Sequence, residues 1–161
     1  MDVFEFALEF EKENKEFYRE CAEKADHNSL KRVFNYLADE EEKHEEIVKQ
    51  LQAEETVEKV ESDIIPKAKK AFDEIAEDLP ERIFNDDQLD AYQKALELEK
   101  RSVEFYQSKL EEAELPQVKK VFRKLANIEK NHQKIMENIY QFVSKPERWL
   151  DDAEWYHLEE Y

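Results

Sequence analysis

The sequence predicts an all-α protein, a four-helix bundle assembled from two copies of one helical hairpin. Three observations carry that prediction. Gly is absent from the 161 residues and Pro occurs four times, so the turn chemistry of β-sandwiches and barrels is missing. Glu, Lys, Leu and Ala are abundant, as long helices require. Residues 1–50 align with 89–138 without a gap and share 19 identities, among them Phe17-Tyr18 with Phe105-Tyr106, Val33-Phe34 with Val121-Phe122, and Leu37-Ala38 with Leu125-Ala126. A single hairpin cannot bury its apolar face, whereas two packed together can.

The elements follow in order. The first bundle helix is expected over about 2–25, and Asp26-His27-Asn28-Ser29 supplies cap residues for a second over about 29–54. The third is expected over about 87–113. Pro116 suits the first turn of a fourth that runs to about 143. Between the halves, residues 55–86 form a connection long enough to cross over along the bundle. Its middle, 67–76, reads as a short amphipathic helix bracketed by Pro66 and Pro80. Residues 1–145 thus make one bundle domain, with repeats over about 1–54 and 87–143. Residues 146–161 form a tail rich in aromatics and acids (Trp149, Trp155, Tyr156, Tyr161) that needs the bundle or a partner to pack on.

Charge narrows the function. The net charge of −17 disfavours binding to nucleic acid or to an anionic membrane surface and favours cations. Its plainest role is a solvated acidic surface. Cys21 is the single cysteine, which excludes an intrachain disulfide and any C-x-x-C centre, and it reads as a buried structural thiol. Met1-Asp2-Val3-Phe4-Glu5 lacks the basic and apolar regions of a secretory signal, and no apolar run approaches membrane-spanning length. The expectation is a soluble cytoplasmic protein.

The chemistry lies in a doubled pattern. Glu11 is followed thirty residues later by Glu41-x-x-His44, and Glu99 by Glu129-x-x-His132. All three members are offset alike: 99 − 11, 129 − 41 and 132 − 44 each give 88. Residues spaced alternately three and four apart place them on inward stripes. The second helix gives Leu30, Phe34, Leu37, Glu41, His44, Val48, Leu51, and the fourth gives Val118, Phe122, Leu125, Glu129, His132, Met136, Ile139. The first gives Phe4, Ala7, Glu11, Asn14, Tyr18, Cys21, Ala25, and the third gives Tyr92, Ala95, Glu99, Ser102, Tyr106. A carboxylate on such a face is costly unless paired. Glu and His three apart share a helix face and can grip one ion. Four carboxylates neutralise two divalent ions, and the carboxylate/imidazole mixture suits iron or manganese, with zinc also fitting.

With these residues in place, the chain resembles the rubrerythrins of the ferritin-like superfamily, in which two helices each give a Glu and two give Glu-x-x-His. The resemblance spans about residues 2–143. It implies a ferritin-like bundle holding two iron ions on Glu11, Glu41, His44, Glu99, Glu129 and His132, with Glu41 and Glu129 bridging. It also implies that Tyr18 and Tyr106 sit near the metals, bonding a ligand carboxylate or passing an electron. Two features differ from the family pattern. No rubredoxin-type cysteine motif occurs, so electrons are expected from an external donor protein. The additional family glutamate one turn before the third-helix ligand is replaced by Ala95 or Leu96.

Blander roles go to the remaining polar residues: core packing for Tyr18 and Tyr106, a cap or loop for His27, the tail for His157, and a solvated face for Glu40, Glu42, Glu45 and Glu46. The functional expectation is a di-iron peroxidase-type oxidoreductase that reduces hydrogen peroxide to water in protection against oxidative stress, with peroxide or oxygen as oxidant. The alternatives are iron binding or ferroxidase activity for storage or delivery, and a zinc-stabilised interaction module. The long connection and aromatic tail suggest a homodimer, with or without exchanged hairpins, rather than a storage cage.

Overall fold

The computed structural model describes residues 2–77 and 86–144. The expected tail, the far end of the connection with Pro80, and His157 lie outside those residues. Within them the chain is all-helical: α1 (Val3–Lys24), α2 (Asn28–Gln52), α3 (Ile64–Glu77), α4 (Asp86–Glu112) and α5 (Pro116–Ser144).

Local signals set the helix ends. Asp2 caps α1 by accepting from the Glu5 amide at 2.8 Å, and His27 caps α2 by accepting from Ser29 N through Nδ1 at 3.1 Å. At its far end α2 stops two residues earlier than expected. Glu54 enters the left-handed region at φ 60°, its amide bonds Leu51 O at 3.1 Å, and the Glu55 amide bonds Gln50 O at 2.9 Å. That is the glycine-type helix terminator, met here in a chain without glycine. The connecting helix begins three residues before its expected start. Pro66 falls inside its first turn, where the missing N–H has no intrahelical partner to lose.

Direction follows from side-chain pairings across the bundle. On α1 and α4, residue 11 meets 106, 14 meets 102 and 18 meets 99, so these helices are antiparallel. On α2 and α5, 41 meets 132 and 44 meets 129, again antiparallel. Within each hairpin the helices are antiparallel as well, so α2 and α4 run the same way. The connection must therefore travel back along α2, about 37 Å at 1.5 Å per residue. Helix α3 covers a little over half of that path, burying Ile64, Ile65, Ala68, Ala71, Phe72 and Ile75 against α2 and α5.

The core is divided. One apolar cluster joins Leu30, Phe34, Leu37 and Phe72 with Ile135, Ile139 and Phe142. The other joins Ala7, Val48 and Leu51 with Tyr106, Phe122 and Leu125. A layer of buried polar residues separates them.

Candidate metal centre

All six predicted ligands meet in that layer, and all come from one chain. Glu11, Glu41, Glu99, Glu129 and His132 are 0% exposed and His44 2%. Their ligand atoms form two overlapping groups: Glu11, Glu41, His44 and Glu129, and Glu41, Glu99, Glu129 and His132, each with donor atoms within 4.8 Å of one another. Glu41 and Glu129 belong to both groups. Each remaining glutamate and each histidine belongs to one.

The inward ring nitrogen of both histidines is Nδ1. His44 Nδ1 lies 2.9 Å from Glu129 Oε1 and 3.4 Å from Glu11 Oε2. His132 Nδ1 lies 2.7 Å from Glu41 Oε1 and 3.4 Å from both Glu99 Oε1 and Glu129 Oε2. The two rings stack, 5.8 Å apart and 7° from parallel.

Several converging atoms make no hydrogen bond: Glu11 Oε2, Glu41 Oε1, Glu99 Oε2, Glu129 Oε2 and His132 Nδ1. Buried lone pairs left this way are costly among protein groups alone. A shared cation would satisfy them together. Hard carboxylate oxygens with two imidazoles suit iron or manganese, so the donor set fits the metal pair that the sequence pattern implies.

Without metal the cluster must hold protons. Burial pushes Glu41 and Glu99 well above the carboxylate range, and the charge of neighbouring glutamates adds to it. Glu11 is raised by burial and by Glu129. Burial acts on Glu129 too, but its close approach to Glu99 and to the two histidines outweighs it and holds Glu129 well below that range. Burial opposes charging of His44, yet Glu11 and Glu129 raise it to about 10; Glu129 and Glu99 raise His132 in the same way.

The two tyrosines reach across the repeats. Tyr18 donates to Glu99 Oε1, and Tyr106 donates to Glu11 Oε1 at 2.7 Å. Burial raises both phenols well above their ordinary range, with Glu99 adding at Tyr18 and Glu11 at Tyr106, so both remain donors. Glu11 and Glu99 are thus each held by the other repeat. Cys21 is buried, and burial lifts its thiol to about 12, in keeping with a structural role.

Three further polar residues support the site. Asn14 Nδ2 donates to Ser102 Oγ at 2.8 Å and lies 3.4 Å from Glu41 Oε2. These were the polar exceptions on the first and third stripes, and they share the offset of the repeat (102 − 14 = 88). Glu40 is the correction. Expected on a solvated face, it is 3% exposed, with Oε1 3.1 Å from His132 Nε2 and accepting from Ser62 of the connection. Burial pushes the Glu40 carboxyl up, but His132 outweighs it and holds it below the usual range. The repeat held a signal, because Glu40 matches an apolar residue, Ile128. Of its neighbours, Glu42 and Glu46 are exposed as expected, while Glu45 is half-buried and pairs with Lys15 at 2.7 Å.

Fold and site together define an all-helical bundle with a buried carboxylate–imidazole cluster built from a repeated hairpin. The sequence model of the Rubrerythrin family matches residues 2–140 and again 90–157, and the chain belongs to that family. The two matches begin 88 residues apart, the offset of the ligands. No curated protein and no solved structure gave a match. Among the described residues no helix is long and apolar enough to cross a membrane.

Proposed function

We propose that the chain is a non-haem di-iron oxidoreductase that reduces hydrogen peroxide to water with electrons from an external donor protein. The observation that carries this reading is the pair of overlapping donor groups sharing Glu41 and Glu129. Glu11 and His44 would complete one metal position, and Glu99 and His132 the other. Four carboxylates balance two divalent ions, so the six ligands and the two ions together would carry no net charge. A ferrous pair supplies two electrons at once, the number needed for H2O2 + 2H+ + 2e− → 2H2O.

The protein's share of the work is positioning. Tyr18 and Tyr106 fix the terminal glutamates, Asn14 and Ser102 brace α1 against α4 beside Glu41, and the apolar clusters on either side exclude bulk water. A cleft lined by Asn14, Phe17, Tyr18, Ala95 and Leu98 lies between α1 and α4. Phe17 also lines a wider surface pocket with Cys21, Ala91 and Lys94.

The test is an anaerobic ferrous titration followed by rapid mixing with peroxide or with oxygen. Two ions per chain, oxidised much faster by peroxide, support the reading. Faster reaction with oxygen, or continued iron uptake, replaces it with iron handling. A zinc-dependent fold without redox turnover replaces it with a structural module.

A further inference from the structure

The repeat that builds the centre is broken at one position behind it. Glu40 of the first repeat corresponds to Ile128 of the second (40 + 88 = 128), and both are buried. Glu40 Oε1 lies 3.1 Å from His132 Nε2, the ring nitrogen that points away from the four ligand carboxylates. The carboxylate is itself anchored. Ser62 Oγ donates to Glu40 Oε1 and accepts from the Ile64 amide at 3.2 Å, where α3 begins. His44 has no equivalent support, and its Nε2 makes no hydrogen bond among the described residues.

This difference bears directly on metal affinity. A carboxylate that accepts Nε2–H fixes the tautomer with the Nδ1 lone pair facing the ion, fixes the ring orientation and makes the ligand more basic. His132 has its ring orientation and the acceptor for its Nε2–H in place before any ion arrives. His44 must settle its ring and tautomer on binding, and it then leaves a buried N–H without an acceptor, which carries its own cost.

We propose that Glu40 is a positioning residue that makes the two metal positions unequal: the position of Glu99 and His132 fills first and holds its ion tightly, and the position of Glu11 and His44 fills second and releases first. This rests on the dinuclear reading above and adds an order of filling to it. Ser62 couples that order to the connection, because the hydroxyl that steadies Glu40 also caps α3.

The test is calorimetric titration of the full chain with manganese(II) under anaerobic conditions. The unmutated protein should bind in two steps. Glu40→Gln keeps the shape and an acceptor but removes the charge, and it should loosen the tight step roughly 10- to 100-fold while leaving the weak step in place. Glu99→Gln should remove the tight step and Glu11→Gln the weak one, which assigns each step to its position. Equal loosening of both steps by Glu40→Gln, or no loosening, overturns the proposal. Failure to bind two ions at all overturns the dinuclear reading and the proposal together. A readout on the unmutated chain guards against a variant that folds poorly: anomalous diffraction at one equivalent of manganese should place the ion beside His132. An ion beside His44, or equal occupancy of both positions, overturns the proposal.

Discussion

Asn14 and Ser102 occupy equivalent positions in the two repeats and bond to one another, Nδ2 to Oγ at 2.8 Å. A residue that meets its own repeat partner marks the local two-fold axis of the bundle. The six ligands and the two tyrosines around the axis then come in crossed pairs. Tyr18 holds Glu99 while Tyr106 holds Glu11, and His44 approaches Glu129 while His132 approaches Glu41. Neither hairpin owns a complete site, so the centre depends on the docking of the halves.

The crossed tyrosines make the first prediction. Tyr18→Phe removes the donor to Glu99, and Tyr106→Phe removes the donor to Glu11, each leaving a buried carboxylate oxygen short of a partner. Each change should cost about 1–3 kcal/mol in the metal-free protein, read by chemical denaturation. Each should also weaken one metal position rather than both, Glu99's for Tyr18 and Glu11's for Tyr106, read by metal titration. Equal weakening of both positions by either variant would contradict the crossed arrangement.

The shared glutamates make the second prediction. Glu41 serves both donor groups, so Glu41→Gln should abolish tight binding of both ions, whereas Glu11→Gln should spare one. The same change should stabilise the metal-free bundle. Burial and the neighbouring glutamates raise Glu41 well above 4.5, so the folded metal-free chain keeps a proton there over a pH range in which the unfolded chain has already lost it. Replacing it by a neutral isostere should recover on the order of 1–3 kcal/mol at pH 7. A higher melting temperature without metal, together with lost metal binding, is the expected signature. A lower one would show that the carboxylate is paired more favourably than its burial implies.

The third prediction concerns pH. Glu11, Glu41, Glu99, His44 and His132 are all raised, so the folded metal-free chain binds more protons than the unfolded chain above the ordinary values of 4.5 and 6.5. Their contribution to stability is full below those values and drains away as pH rises, through about 10 for His44. Glu129 is lowered and acts in the opposite sense, its contribution present above 4.5 and lost as pH falls through its folded value. Glu40 is lowered like Glu129, and both have given their full contribution by pH 5, so the five raised groups alone make the metal-free protein less stable from pH 5 to 9. Metal ions replace those protons, so binding strengthens over the same range. Melting curves with chelator and with manganese(II) should therefore diverge as pH rises. A gap that stays constant or narrows would mean that these groups are not titrating within the site.

The sequence exposed the parts of this design that repeat and withheld the parts that do not. The inward faces of α2 and α5 were legible because an apolar stripe three and four apart is interrupted only at Glu41, His44, Glu129 and His132. The fixed offset of 88 then tied the stripes into one site. Glu40 was hidden because it lies off that stripe, and Ser62 of the distant connection helps enclose it. Spacing along α1 placed Tyr18 on the same face as Glu11, but only the packing of the halves shows that it bonds Glu99 instead. The early start of α3 was missed because Pro66 reads as a boundary, although a first turn accepts it.

Access gives the last prediction. The six ligands are sealed from solvent, so a small oxidant must pass between side chains. Phe17 is half-buried and lines both the cleft beside Asn14 and Tyr18 and the surface pocket beside Cys21 and Lys94. Ala95 lines the same cleft from α4, and the cleft as it stands has no room for a water-sized molecule, so passage through it requires these side chains to move. Phe17 offers the centre no polar atom, so shortening it should change access without changing the metal site. Phe17→Ala should speed oxidation of the ferrous protein by peroxide severalfold, and should admit a bulky alkyl hydroperoxide that the unmutated chain reacts with slowly. Metal stoichiometry should be unchanged. Ala95→Leu, which fills the cleft from the other side, should slow both oxidants. Rapid-mixing rates for the two peroxides across the three proteins decide the matter. If both variants leave the rates as they were, the oxidant reaches the centre by another face of the bundle.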